Sequence, residues 1–156
     1  LFRSAFEPGY SSGHLNAPRD YLPAVEDWIR AHAEPATVLD IGGNDGRNTP
    51  FAATAELTVW AIGDPEPRGT FDLVVLAHVL EHAAWPRDLI ALARRHLADG
   101  GLIYAEVPLE APNDYWHEHV NRYDETGLAA TLAPCRLLGM QGLGTSLGPV
   151  LMALAA

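Results

Sequence analysis

Thr37-Val38-Leu39-Asp40-Ile41-Gly42-Gly43-Asn44-Asp45-Gly46 is the stretch that decides the fold. Its first five residues are a short, mostly apolar run of the kind a buried strand needs, and Gly42-Gly43 stops it. Glycines at a strand end let the backbone turn sharply and approach a ligand closely. A turn from strand to helix lies beyond the carboxyl end of the strand, which is where open α/β sheets bind ligands. A glycine-rich turn that holds no ligand is the plain alternative. Two common turn chemistries do not fit. A dinucleotide turn needs Gly-x-Gly-x-x-Gly, and position 41 is Ile; a phosphate loop needs a Lys that does not follow Gly46.

The flanking segments alternate between strand and helix. Upstream, Pro18 can open a helix, and Tyr21, Leu22, Val25, Trp28 and Ile29 recur on one helical face. Downstream, Thr49-Pro50 reads as the cap and first position of a short helix to about Glu56. Leu57–Ile62 is a second strand, and Gly63-Asp64-Pro65-Glu66-Pro67 a rigid connection with no room for a helix before the third strand, Phe71–Leu76. A helix over Asp88–Leu97 is expected to end at Asp99-Gly100-Gly101, followed by a strand at Leu102–Val107. Residues 108–123 read as a long polar and aromatic loop, Thr126–Ala133 as a helix, and 136–143 and 148–155 as closing strands. This order predicts an α/β, Rossmann-like, doubly wound and mostly parallel sheet of six or seven strands. The last strand is expected antiparallel at the edge, and the sheet is shortened between the second and third strands. Residues 1–16 read as an N-terminal loop or lid and 17–156 as a single domain.

Composition narrows the partners. The chain of 156 residues carries a net charge of −10, and its ten basic residues are all Arg. Tracking phosphates needs a basic surplus, so nucleic acid is a poor partner and a small molecule a better one. No apolar run approaches the roughly 18 residues that span a bilayer, so no membrane is expected. The single Cys135 excludes an internal disulfide or a Cys-rich zinc site within these residues, which fits the cytoplasm. The start at Leu1 suggests a trimmed chain.

Five motifs occur in an order that resembles class I S-adenosylmethionine-dependent methyltransferases. They are Tyr10-Ser11-Ser12-Gly13, Asp40 through Gly46, Phe71 through His82, Leu97 through Gly101 with Glu106-Val107-Pro108, and His117-Glu118-His119. The Asn44-Asp45 pair before Gly46 is similar to nucleotide-sugar C-methyltransferases. The resemblance implies S-adenosyl-L-methionine as cofactor. Gly42, Gly43, Asn44 and Gly46 would surround its methionine part, and Asp40 would meet its ammonium group. Ala77 lies in the stretch Phe71 through His82, which is similar to the segment that closes the cofactor pocket in that family. Asp64 is a candidate for the ribose hydroxyls, although Gly63 sits where an ungapped reading places the acid; a turn residue before Pro65 is the other reading.

The same resemblance makes His119 the candidate general base, beside Glu118, in a loop where Trp116 replaces a supporting Tyr. A histidine bonding its own loop backbone is the alternative. His78 is expected at the pocket wall, and Glu81-His82 at a helix start. These His and Glu residues also admit a metal reading, but the resemblance accounts for them without one, so no metal is expected. The reading is methyl transfer to a small-molecule acceptor, with a sugar or sugar-nucleotide carbon as candidate. O- or N-methylation of another metabolite, and a degenerate non-catalytic domain, are its rivals.

Overall fold

The run Thr37–Ile41 forms strand β1. In the computed structural model, which describes residues 19–111, 118–146 and 148–156, it is joined by β2 (Glu56–Trp60), β3 (Phe71–Ala77), β4 (Leu97–Pro108), β5 (Leu137–Thr145) and β6 (Gly148–Ala155). Helices α1 (Leu22–Arg30), α2 (Pro86–Arg95) and α3 (Glu125–Leu132) and a 3₁₀ turn at Leu80–His82 are the helical elements described. The strands make one sheet in the order β2-β1-β3-β4-β6-β5. Strands β1 to β4 are parallel, and β6 is antiparallel to β4 and β5. The doubly wound sheet and its antiparallel last strand are as expected, but β6 is inserted one place in from the edge. Burial explains why. Val150 to Ala155 are all buried and need cover on both faces, whereas β5 has no buried residue and tolerates the edge.

Alternation along the central strands divides the core in two. Leu39, Val74, Leu76, Ile103 and Ala105 face the side covered by Leu89 and Ile90 of α2 and Leu128 and Leu132 of α3. Val38, Leu73, Val75, Leu102 and Tyr104 face the other side, where α1 contributes Val25 and Ile29. Ile90 is fully buried, and truncating such a side chain to Ala costs about 2–5 kcal/mol. Asp72 fastens β3 to the start of β1 by accepting hydrogen bonds from the backbone N–H groups of Ala36 and Thr37 and from the Thr37 hydroxyl, at 2.9–3.0 Å.

Two local expectations fail. Residues 49–55 run through successive turns and not a helix. The Thr49 hydroxyl donates to Asp40 instead of capping, and Phe51 holds φ +64°, which a right-handed helix cannot include. Helix α2 ends at Arg95, and Asp99-Gly100-Gly101 lie inside β4. Between Ile62 and Phe71 there is only the isolated bridge Ile62–Asp64, the shortening read from the sequence. No helix among the described residues is long and apolar enough to cross a membrane. The expected lid at 1–16, with the Tyr10-Ser11-Ser12-Gly13 motif, and the positions Trp116 and His117 lie outside the described residues.

Candidate active site

Strand β1 is flanked by β2 on one side and β3 on the other, so the chain order reverses at β1. Loops leaving the carboxyl ends of β1 and β3 part there, and a crevice opens between them. Asp40, Gly42, Gly43 and Asn44 line it from the β1 side, Ala77 and His78 from the end of β3. The turn is tightly built. Gly42 holds φ +80°, and a Cβ at Gly43 would lie 1.9 Å from Asp40 Oδ2. Gly43 is thus a roof with no side chain, under which the Asp40 carboxylate fits.

Asp40 is 3% exposed. Its Oδ2 accepts a short hydrogen bond from the Thr49 hydroxyl, while Oδ1 is buried with no hydrogen-bond partner among the described residues. Burial pushes its pKa up to about 6, against the opposing pull of Thr49 and of the Arg19 charge. An unsatisfied buried acceptor costs about 1–3 kcal/mol. A cationic donor entering the crevice would satisfy it.

A second buried carboxylate, at the end of β4, holds two of the lining residues. Glu106 accepts from Tyr21 Oη at 2.7 Å and Tyr104 Oη at 2.5 Å, and pairs with Arg19 at 3.2 Å and His78 Nε2 at 2.9 Å. Burial alone would raise its pKa, but His78 and Arg19 hold it down to about 2. His78 also lies 3.3 Å from Glu81 Oε1. Burial alone would lower the His78 pKa, yet its two carboxylate neighbours raise it to about 9. His78 is therefore an imidazolium at neutral pH. As a cleft wall it is placed as expected; as a proton acceptor it is already occupied.

His119 and Glu118 belong to a neighbouring group. The loop after residue 117 is laced to the 3₁₀ turn: Val120 and Asn121 donate their N–H groups to Glu81 O at 2.8 and 3.0 Å, and Asn121 Nδ2 donates to Leu80 O and Ala83 O. His119 Nδ1 lies 2.5 Å from Glu110 Oε1, and its ring meets that of His82 edge-on, centroids 4.7 Å apart. Glu118 is exposed, and its carbonyl accepts from His82 Nδ1 at 3.1 Å.

Six of the sequence candidates thus meet at the crevice. Gly46 is buried behind it, where a Cβ would meet Leu57 and Val59 of β2, and Asp64 sits in an exposed turn whose carbonyl accepts from Trp60 Nε1 at 3.3 Å. Sequence reasoning missed Arg19, Asp45, Arg47 and Asn48, which also line the crevice. Asp45 lies within the quoted turn without having been given a role, and Arg47 and Asn48 adjoin it, so proximity alone could have flagged them. Arg19 comes from the segment before α1, and only the fold brings it over Asp40 and Glu106.

Known structures share this fold. A solved structure of 1,6-didemethyltoxoflavin-N1-methyltransferase from Burkholderia thailandensis, with 1,6-didemethyltoxoflavin and S-adenosylhomocysteine bound, is similar over 88% of this chain and 78% of its own, with TM-score 0.69 and 18% identity. S-adenosylmethionine-bound CalS10, an amino pentose methyltransferase from Micromonospora echinaspora, is similar over 97% and 98%, with TM-score 0.67 and 16% identity. A putative methyltransferase complexed with its activator Trm112 from Haloferax volcanii is similar over 88% and 89%, with TM-score 0.66 and 14% identity. At these identities the likeness establishes the fold. No curated protein sequence matches the chain. Residues 14–133, more than half of the chain, match the family described as the methyltransferase domain. The glycine turn, the crevice at the sheet's switch point and this match together establish that the chain belongs to the methyltransferase-domain family.

Proposed function

We propose that this protein transfers a methyl group from S-adenosyl-L-methionine to a small-molecule acceptor. The observation that carries the reading is the buried Asp40 carboxylate, whose Oδ1 is unpartnered at the crevice under Gly43. The cofactor has an amino-acid end with one cationic and one anionic group. The crevice offers Asp40 for the first and the Arg19 guanidinium for the second, so its charges suit that end. The described residues therefore fit the group. The cofactor supplies a methyl on a sulfonium, already an excellent leaving group, so the protein's task is mainly alignment. Asp40, the glycine turn and Asn44 hold one wall, and Ala77 with His78 the other.

The acidic, Lys-free composition and the modest crevice favour a small acceptor. The similar structures named for small-molecule N- and amino-sugar methylation support the same class. A sugar or sugar-nucleotide carbon is the finer reading, supported by the His117-Glu118-His119 resemblance. Because His78 is held as a cation, any proton the acceptor must lose is assigned to the neighbouring group that contains His119. Calorimetric titration with the cofactor and its demethylated product tests the core reading, and a product mass screen across nucleotide sugars, amines and phenols tests the acceptor. Saturable one-to-one heats are expected. No heat and no thermal shift with either ligand would leave a non-catalytic domain.

A further inference from the structure

We propose that Glu81, His82 and His119 bind a divalent first-row transition metal ion, such as zinc or cobalt, in a site behind His78. One donor atom from each of the three residues lies within 4.8 Å of the other two. A tetrahedral ion with bonds of about 2.0–2.1 Å needs donors roughly 3.3 Å apart, so small side-chain movements close the set. Two imidazoles with one carboxylate select zinc, cobalt or iron over the hard ions magnesium and calcium.

Independent observations point to a ligand there. Glu81 is 1% exposed, yet neither of its carboxylate oxygens accepts a hydrogen bond from the described residues. Its nearest cationic neighbour, His78 Nδ1 at 3.3 Å, is shared with Glu106. A buried carboxylate left this way is costly unless a cation joins it. The tautomer of His82 is also set. Its Nδ1 must donate to the Glu118 carbonyl, because a carbonyl only accepts, so a neutral ring carries its lone pair on Nε2. That atom lies 3.9 Å from Glu81 Oε1. A cation between them would be held by both.

The surrounding shell has the form that metal-binding histidines use. Glu110 Oε1 sits on His119 Nδ1, and a backbone carbonyl on His82 Nδ1. Such partners orient imidazole ligands and raise their basicity. Arg122, whose Nε lies 3.6 Å from Glu110 Oε2, holds that carboxylate in turn. The hydrogen bonds from residues 120 and 121 to Glu81 O fix the loop against the 3₁₀ turn before any ion arrives. His78 both lines the crevice and touches Glu81, so the ion would stand one side chain from the acceptor's place. His119 would then act as a ligand, with an open coordination position left for water or an acceptor oxygen.

The inference does not depend on methyl transfer, since metal uptake is measured without cofactor or acceptor. The whole chain, stripped with chelator and exchanged into metal-free buffer, is titrated with Zn²⁺ by calorimetry and with Co²⁺ by visible absorption. One equivalent of each is expected, with a ligand-field spectrum for cobalt. Glu81→Gln and His82→Asn should each abolish stoichiometric uptake. Glu81→Gln removes one of the two carboxylates beside His78 while Glu106 stays paired with it at 2.9 Å, so the metal-free variant should remain folded, and His82→Asn alters a half-buried side chain and serves as the second variant. Glu110→Gln, a positioning change, should weaken zinc binding about 10–100-fold. The exposed His32→Ala should bind as the unaltered protein does. Absence of stoichiometric uptake by the unaltered chain, or undiminished uptake by the folded Glu81 and His82 variants, would overturn the site.

Discussion

Replacing Asp40 with Asn should make the ligand-free protein more stable and the cofactor complex weaker. The magnitude follows from the site. Burial raises the Asp40 pKa from 3.8 to about 6, and each unit corresponds to 1.36 kcal/mol, so keeping this carboxylate ionised inside the fold costs about 3 kcal/mol at neutral pH. Because the folded pKa lies above the unfolded one, the native state binds more protons between them. Stability is therefore fully present below about pH 4 and declines as pH rises through about 6. The Asp40→Asn substitution abolishes that decline. The Thr49 hydroxyl can still donate to the amide's carbonyl oxygen, but the new N–H₂ takes the place of the unpartnered Oδ1 and recovers nothing, an offset of about 1–2 kcal/mol. The net gain is about 1–2 kcal/mol at pH 8, a rise of roughly 2–8 °C in Tm for a chain of this size. At pH 4, where the carboxyl is protonated in the fold, only the offset remains, and the variant should be the less stable of the two by about 1–2 kcal/mol. Loss of the charge facing the ammonium should weaken cofactor binding by about 1.5–3 kcal/mol, about ten- to hundred-fold. In the unaltered protein, affinity should also weaken below pH 6 by up to about tenfold per unit, since the ligand must displace a proton; the variant should show a flat profile. Thermal unfolding from pH 4 to 8 and calorimetry with S-adenosylhomocysteine measure both. A variant that is less stable at pH 8 and binds equally well would refute the reasoning, leaving Asp40 as a strand-end residue with no ligand to meet.

Other substitutions test the rest of the site. Gly43→Ala puts a methyl group 1.9 Å from Asp40 Oδ2 and must displace the carboxylate; it should cost about 1–3 kcal/mol in urea unfolding and remove most cofactor affinity. Glu106→Gln leaves Arg19 and His78 without their shared anion, and should destabilise by about 3–5 kcal/mol at pH 7. The same change should bring the His78 pKa down from about 9, read from its imidazole NMR titration. Because that pKa is raised in the fold, the stabilisation His78 gives is complete below about pH 6.5 and lost as pH rises through 9; a denaturation series across this range should show the decline in the unaltered protein and little of it in the variant. Thr49→Val deletes the Thr49 hydroxyl's hydrogen bond to Asp40, so the decline in stability should extend to higher pH, and cofactor affinity at about pH 6.5 should fall.

The sheet was legible because its signals are local. Thr37–Ile41 and Phe71–Leu76 are apolar runs bounded by turn residues, and any chain that alternates such runs with helical periods has few ways to bury them. The turn at 42–46 was legible for the same reason, since backbone freedom belongs to glycine itself. What failed was also local but contested. Thr49-Pro50 has the composition of a helix start, and the Thr49 hydroxyl went instead to a carboxylate nine residues earlier. Val150 to Ala155 announced a buried strand, but its place between β4 and β5 follows from cover on two faces, a property of the packed sheet.

The chemistry of the charged groups was decided in three dimensions. His78, Glu81, His82, Glu106 and His119 are ordinary letters whose protonation depends on what stands within about 4 Å, and those neighbours come from β3, β4, the 3₁₀ turn, the following loop and the segment before α1. Read alone, the sequence settled the sheet and its glycine turn, because these rest on periodicity and on glycine, and its ordered motifs carried the resemblance to the family. Only the tertiary structure made His78 a fixed cation, brought Arg19 over the crevice and left buried oxygens of Asp40 and Glu81 without a hydrogen bond from the described residues, because burial and Coulomb interaction act through space and not along the chain.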